Sequence, residues 1–235
     1  MVSLQILGPV AVRDGATLVP MPTQKLQGLL VLLALAGPVP RARLAAWLWA
    51  ETNDASARRN LRRELARLRD AGAGALLQAA GDQLALADTV VCDARQFMAD
   101  VAQAQWPQAL QRWSGPLADG LQLDRAEVFS DWLTVQRQRL QTLRREALAA
   151  ATQTCQALGD RLGAIAHLQT LLADDPLQEH HHRALIALHA DAGHREAALA
   201  QYMLCRELLW RELALQPAPE TEALVAELRR TRPLP

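Results

Sequence analysis

Cysteine is nearly absent from this chain. Cys92, Cys155 and Cys205 are odd in number and widely spaced, which excludes a disulfide framework and points to a reducing compartment. Net charge is absent too. The 25 Lys and Arg balance the 25 Asp and Glu, so any affinity for nucleic acid must come from local clustering. Long apolar runs are missing. The longest, residues 29–36, is far too short to span a bilayer. The N-terminus, MVSLQILGPV, lacks the basic start and apolar stretch of a signal peptide. These absences predict a cytoplasmic chain with no membrane partner. Aromatics are scarce as well, with one Tyr, two Phe and six Trp. Ala, Leu, Gln and Arg dominate, which favours helix nearly everywhere.

Reactive arrangements are also lacking. No nucleophile elbow, phosphate-cradling glycine loop or paired carboxylates emerge, and Gly8-Pro9 and Gly72-Ala73-Gly74 read as turns. The run His180-His181-His182 cannot converge on one ion, because successive helical residues point about 100° apart. No i, i+4 histidine pair or CxxC spacing accompanies it. The chain is therefore expected not to be an enzyme, with no catalytic residue, cofactor or metal.

What is present is a basic amphipathic segment, SARRNLRRELARLRD, from Ser56 to Asp70. Ala57, Leu61, Leu65 and Leu68 make one apolar stripe at helical spacing. Arg59, Arg62, Arg63 and Arg67 fall on the other side, and Arg58 and Arg69 flank the stripe. Positive charge concentrated on the exposed face of a docked helix is the footprint of a nucleic-acid reader. Arg59, Arg62 and Arg63 are candidates for base edges, since Arg bonds bidentately to guanine. Arg67 and Arg69 suit phosphates, which position without specifying. Asn60, at the edge of the face, suits adenine. Lys25 and Gln24 open an earlier helix whose N-terminus can approach a phosphate. The competing reading is a solvated helix in which Glu64 pairs locally with Arg67.

The segments around this helix have a recognisable order. Leu4–Leu7, Val10–Arg13 and Thr17–Val19, punctuated by Gly-Pro and Asp-Gly, predict an antiparallel meander. Thr23 caps a helix to about Ala36, with Leu26, Leu29, Leu30 and Leu33 inward. A second helix spans about Arg41 to Ala50, and Asp54 is placed to cap the basic one. Leu76–Ala79 and Leu84–Leu86 flank Gly81-Asp82 as a hairpin. Three helices, the third exposed and basic, followed by a hairpin make a winged helix, and the leading meander specifies the OmpR type. The hairpin tip, Gly81-Asp82-Gln83, carries no cation and makes a weak wing.

Beyond about Cys92 the texture is all helix, with helices expected over 93–105, 106–113 and 125–158. Gly159 and Gly193, Ala164 and Ala198, and Leu168 and Tyr202 each stand 34 residues apart. That period, with Gly at the turn and a small residue where helices approach, is the tetratricopeptide pattern. A longer helix from Leu199 to about Leu213 precedes Pro217 and Pro219. The Trp residues are read as packing groups. Trp210, exposed, would be a partner hot spot, but a core position is favoured.

The strings LGPVAVRDG, KLQGLLVLLALAGPVPRARLAAWLW and SARRNLRRELARLRD resemble the DNA-binding head of the Streptomyces antibiotic regulatory protein family. Residues from Asp93 to about Leu228, including AHLQTLLADDPLQE and REAALAQY, resemble the bacterial transcriptional activation domain that follows it. The fold class is thus mainly α with a small β component. It comprises an OmpR-type winged helix over 1–91 and an all-α, tetratricopeptide-like domain over 92–235. The resemblance implies a transcriptional activator that binds double-stranded DNA at direct repeats, recruits RNA polymerase and sits as two copies side by side on DNA. The alternative is a tetratricopeptide adaptor whose basic helix docks an acidic protein.

Overall fold

In the computed structural model, which describes residues 2–230, contacts divide the chain into two units that part between Arg144 and Arg145. The first opens with the expected meander of β1 (Val2–Gln5), β2 (Ala11–Asp14) and β3 (Thr17–Val19). Leu4 pairs with Val12 across β1 and β2, both buried, while the neighbouring Ser3–Arg13 pair lies on the other face. A strand that periodicity missed, β7 (Val91–Cys92), adds to β1 in parallel and gives the order β3-β2-β1-β7. Two residues are too short to show a period of two.

Helix α1 (Gln24–Ala36) begins as expected, with the Thr23 hydroxyl accepting from Leu26 N at 3.1 Å. Its middle, Gly28–Ala34, is buried on every side, Leu32 and Val31 included, not only along the stripe at Leu26, Leu29, Leu30 and Leu33. Gly28 interrupts its leucines because a Cβ there would lie 2.8 Å from Leu123 Cδ1 and 3.2 Å from Phe129 Cζ. Helix α2 (Arg41–Leu48) stops short of Ala50, and α3 (Asp54–Asp70) follows one turn later. The hairpin is β5 (Leu77–Ala80) and β6 (Gln83–Leu86), turning through Gly81 at φ +59°. A further short strand, β4 (Val39–Pro40), joins β6 to make a three-stranded wing, β4-β6-β5. Three helices and this sheet form a winged helix, preceded by β1–β3 and followed by β7 of the four-stranded sheet.

The packing of this unit runs past residue 91, where the sequence divides the chain. Helices α4 (Asp93–Ala102), α5 (Trp106–Arg112) and the start of α6 (Glu127–Ala157) follow. Their Phe97, Phe129 and Leu140, with Leu117 of the loop between α5 and α6, belong to the same core as Leu4, Leu26 and Leu44. Polar ties reinforce it. The Asp93 carboxylate accepts from Ile6 N at 2.9 Å, Leu7 N at 2.9 Å and Ala94 N at 2.7 Å. Burial pushes this carboxyl up, against the downward pull of those N–H groups. Arg95 donates to Ala34 O at 2.7 Å and Leu33 O at 3.1 Å, the last carbonyls of α1. Arg137 donates to Leu117 O at 2.9 Å and Ala118 O at 2.7 Å.

The second unit continues through α7 (Arg161–Asp174), α8 (Glu179–Asp191), α9 (Arg195–Leu213) and α10 (Pro219–Arg230). The repeat is visible in its turns. Asp160 N donates to Cys155 O and His194 N to His189 O, both at 2.8 Å. Arg161 N donates to Gly159 O and Arg195 N to Gly193 O, both at 3.0 Å. Gly159 and Gly193 adopt φ +74° and +76°, where a side chain is strained. Ala164 and Ala198 are fully buried, and Leu168 and Tyr202, one turn on, are buried too. Helix α10 was not expected from its two prolines. Pro219 stands at its first position, where a missing N–H costs no helical bond. Val225 of α10 packs with Ile186 and Tyr202, and Tyr202 donates to Glu222 Oε1 at 2.6 Å.

Of the three consecutive histidines, His182 is buried and holds Pro176 O at 2.9 Å and Gln201 Nε2 at 2.5 Å. Burial pushes its pKa down. Among the described residues no three His, Cys, Asp or Glu side chains cluster where a metal ion could be held, and no helix is long and apolar enough to cross a membrane.

Asp93→Asn places an NH2 group against backbone N–H donors. We expect a loss of about 1–3 kcal/mol of unfolding free energy, measured by urea titration of the intact chain. An unchanged midpoint would mean the carboxylate does not hold the segment after β1 to α4.

Candidate nucleic-acid interface

Helix α3 is capped by Asn53, not Asp54. The Asn53 Oδ1 accepts from Ser56 N at 2.9 Å, and Asp54 stands in the first turn, where its charge suits the helix dipole. The buried face is Ala57, Leu61, Glu64 and Leu68, with Leu65 only half-buried. The stripe is therefore rotated slightly from the one drawn through Leu65.

Glu64 makes the local pair with Arg67 but is not solvated, and it has a second partner. It is 3% exposed, and a buried carboxylate must be paired. Its Oε2 accepts from Thr23 Oγ1 at 2.6 Å, and its Oε1 accepts from Arg67 Nη1 at 2.7 Å. The same threonine caps α1, so one hydroxyl joins the start of α1 to the middle of α3. The carboxylate also lies near the positive end of the α1 dipole. The signal was legible in the spacing 57, 61, 64, 68, a helical repeat with a glutamate in one apolar slot.

With that face docked, Arg58, Arg59, Arg62, Arg63, Arg67 and Arg69 are all exposed, and Asn60 is half-buried. Arg62 lines two clefts. One, about 300 Å³, lies among Arg41, Ala42, Arg58 and Asp82. The other, about 360 Å³, runs between α3 and the wing past Arg69, Gln78 and Ala79. Arg41 lines both, and its backbone N–H donates to Asp82 O at 2.9 Å, fixing the wing tip against α2. Arg43 lies over the Trp47 ring at 5.0 Å.

Lys25 stands at the start of α1 as expected, and its ammonium is engaged within the chain. Its Nζ donates to Leu48 O at 2.5 Å and Asp124 O at 3.1 Å, closing the C-terminus of α2. Burial pushes its pKa down, opposed by Glu51 and Asp124. Trp210, favoured for a core, is 59% exposed. Arg67 remains on the surface with one nitrogen held by Glu64, as in the local-pair reading.

A winged helix with an exposed arginine face, followed by paired helices of tetratricopeptide type, is the architecture of a transcription regulator. The family description "Bacterial transcriptional activator domain" matches residues 85–229. The transcriptional regulatory protein MoaR1 of Mycobacterium tuberculosis is 28% identical, over 99% of this chain and 81% of its own length. The transcriptional regulatory protein EmbR of Mycobacterium bovis is 27% identical, over 97% of this chain and 63% of its own. A solved structure of Mycobacterium tuberculosis EmbR in complex with a low-affinity phosphopeptide superposes with a TM-score of 0.67 at 25% identity, covering 100% of this chain and 66% of that one. The chain thus spans just under two thirds of the EmbR proteins it matches. It belongs to the bacterial transcriptional activator domain family, and the resemblance to the Streptomyces antibiotic regulatory proteins stands.

Removing either end of the Thr23–Glu64 bond leaves a buried polar group unpaired. Thr23→Ala and Glu64→Ala are each expected to cost about 1–3 kcal/mol. The double variant should cost less than their sum by at least about 0.5 kcal/mol. Denaturant unfolding of the four proteins measures the coupling, and strictly additive losses would show that the two side chains act independently.

Proposed function

We propose that this transcription regulator is an activator that reads promoter DNA through α3. The observation carrying this reading is the split of α3 into a docked apolar face and an outward face of six arginines in a chain with no net charge. Helix α3 enters the major groove in the manner of winged helices. Arg59, Arg62 and Arg63 reach base edges. Arg58 and Arg69 engage phosphates, with Arg67 contributing from its free side, and Asn60 assists at the rim of the face. Arg41, beside Arg62 at the wing, adds a cation from α2. The wing tip itself supplies only backbone and Gln83.

Residues 1–91 act as the reading head. Residues 92–235, of which 231–235 lie outside the described residues, act as the activation domain. By family resemblance, the target is a pair of direct repeats occupied by two copies side by side, and the helical domain engages RNA polymerase. The protein works in the cytoplasm without a cofactor, and it does not catalyse a reaction.

Footprinting on upstream DNA with a salt titration tests the reading. Log affinity should fall linearly with log salt. Arg69→Ala should weaken binding to all sequences and reduce the slope by about one. Arg62→Ala with Arg63→Ala should erase site preference, each lost guanine pair removing about 1–3 kcal/mol of discrimination. Absence of binding at low salt would overturn the proposal in favour of an adaptor whose basic helix docks an acidic protein.

A further inference from the structure

Helix α9 is longer than its repeat requires. It has 19 residues against 14 in α7. At the repeat offset of 34, the end of α7 at Asp174 corresponds to Leu208, so residues 209–213 have no counterpart in α7. Ala198, Tyr202, Cys205 and Leu209 form the buried face. The extension completes a second, outward stripe at helical spacing through Met203, Arg206, Glu207, Trp210 and Leu213. Met203 and Leu213 are each 47% exposed, as against 59% for Trp210. A shallow groove of about 430 Å³ runs along the stripe between Met203 and Trp210. An exposed tryptophan flanked by methionine and leucine makes an apolar patch of the kind that marks a contact.

We propose that this stripe is a homodimer contact in which two copies pack α9 against α9 antiparallel about a two-fold axis. The charges select the occupant. The two ionic residues within the stripe, Arg206 and Glu207, are adjacent and opposite in sign, so an acidic or a basic partner would leave one of them opposed. A second copy satisfies both. With the two-fold between Arg206 and Glu207, each Arg206 faces the other copy's Glu207, each Met203 faces Trp210, and each Ala200 faces Leu213. Every residue meets a complementary one, as an isologous interface requires. Moving the axis to lie between Leu208 and Leu209 would set Arg206 against Arg211, a like-charge opposition that disfavours that register. Arg206 leans over the Tyr202 ring at 5.8 Å, which steadies its stem while it stays exposed.

This contact goes beyond the proposed function. Direct repeats are related by translation and the α9 contact by a two-fold, so it is a different association from side-by-side binding on DNA. It can be tested in DNA-free solution.

Sedimentation equilibrium of the full chain, from about 1 to about 200 µM because a one-helix contact lies at the small end of interface sizes, should show a monomer–dimer equilibrium. Trp210→Ala should weaken it at least about tenfold. Arg206→Glu and Glu207→Arg should each weaken it about tenfold or more, and the double reversal Arg206→Glu with Glu207→Arg should restore it to within about threefold. All three positions are exposed, and far-UV circular dichroism confirms folding. A wild type that stays monomeric throughout overturns the proposal and leaves the stripe to an unlike partner. A dimer unaffected by Trp210→Ala, or a double reversal that fails to restore association, overturns the α9 register.

Discussion

The first unit depends on satisfying the two ends of a helix whose middle is buried all round. Every α-helix leaves unpaired N–H groups at its start and unpaired carbonyls at its finish, and α1 cannot leave all of them to water. Thr23 closes the start, Glu64 of α3 engages that same hydroxyl, and Arg95 of α4 closes the finish. The ends of α1 thus become the points at which α3 and α4 are attached. A carboxylate near the positive end and a guanidinium at the negative end also match the helix dipole. The leucines of α1 supply the non-directional driving force, and these two ties supply direction. The Thr23–Glu64 tie holds the Glu64 face of α3 inward.

That rotation has a consequence for the outer face. Docking Glu64 turns Arg58, Arg59, Arg62 and Arg63 to solvent and leaves Arg67 beside the buried carboxylate. The positive surface is therefore concentrated on one ridge beside the wing. The neighbouring cation Lys25 is directed inward, to the carbonyl end of α2. A cation near the candidate interface is not automatically part of it, because helix C-termini compete for the same charge.

In the second unit the governing feature is the turn. The same backbone hydrogen bonds recur after Gly159 and Gly193, at matched distances, and both glycines hold positive φ. Fixed turns deliver Ala164 and Ala198 to close approach, with Leu168 and Tyr202 one turn on. The second copy departs from the first where α9 runs on and α10 folds back, packing its Val225 against Ile186 and Tyr202. The unusual length of α9 is what carries Trp210 into solvent.

Much was readable from the chain itself. Local rules determined the meander, the Thr23 cap, the hairpin around Gly81, the exposed arginines and the repeat turns, because each rests on residues close in sequence. The order of these elements and the repeat offset together marked the fold class. Tertiary structure decided the rest. The short strands β4 and β7 exist only because β6 and β1 offer them partners. Pro219, a terminator by local rules, became the first residue of α10. Lys25 and Glu64 are polar residues whose roles come from groups far along the chain, a helix end in one case and a threonine hydroxyl in the other. The exposure of Trp210 follows from the length of α9 relative to its neighbours. Periodicity says that a face is apolar, whereas only packing determines whether anything covers it.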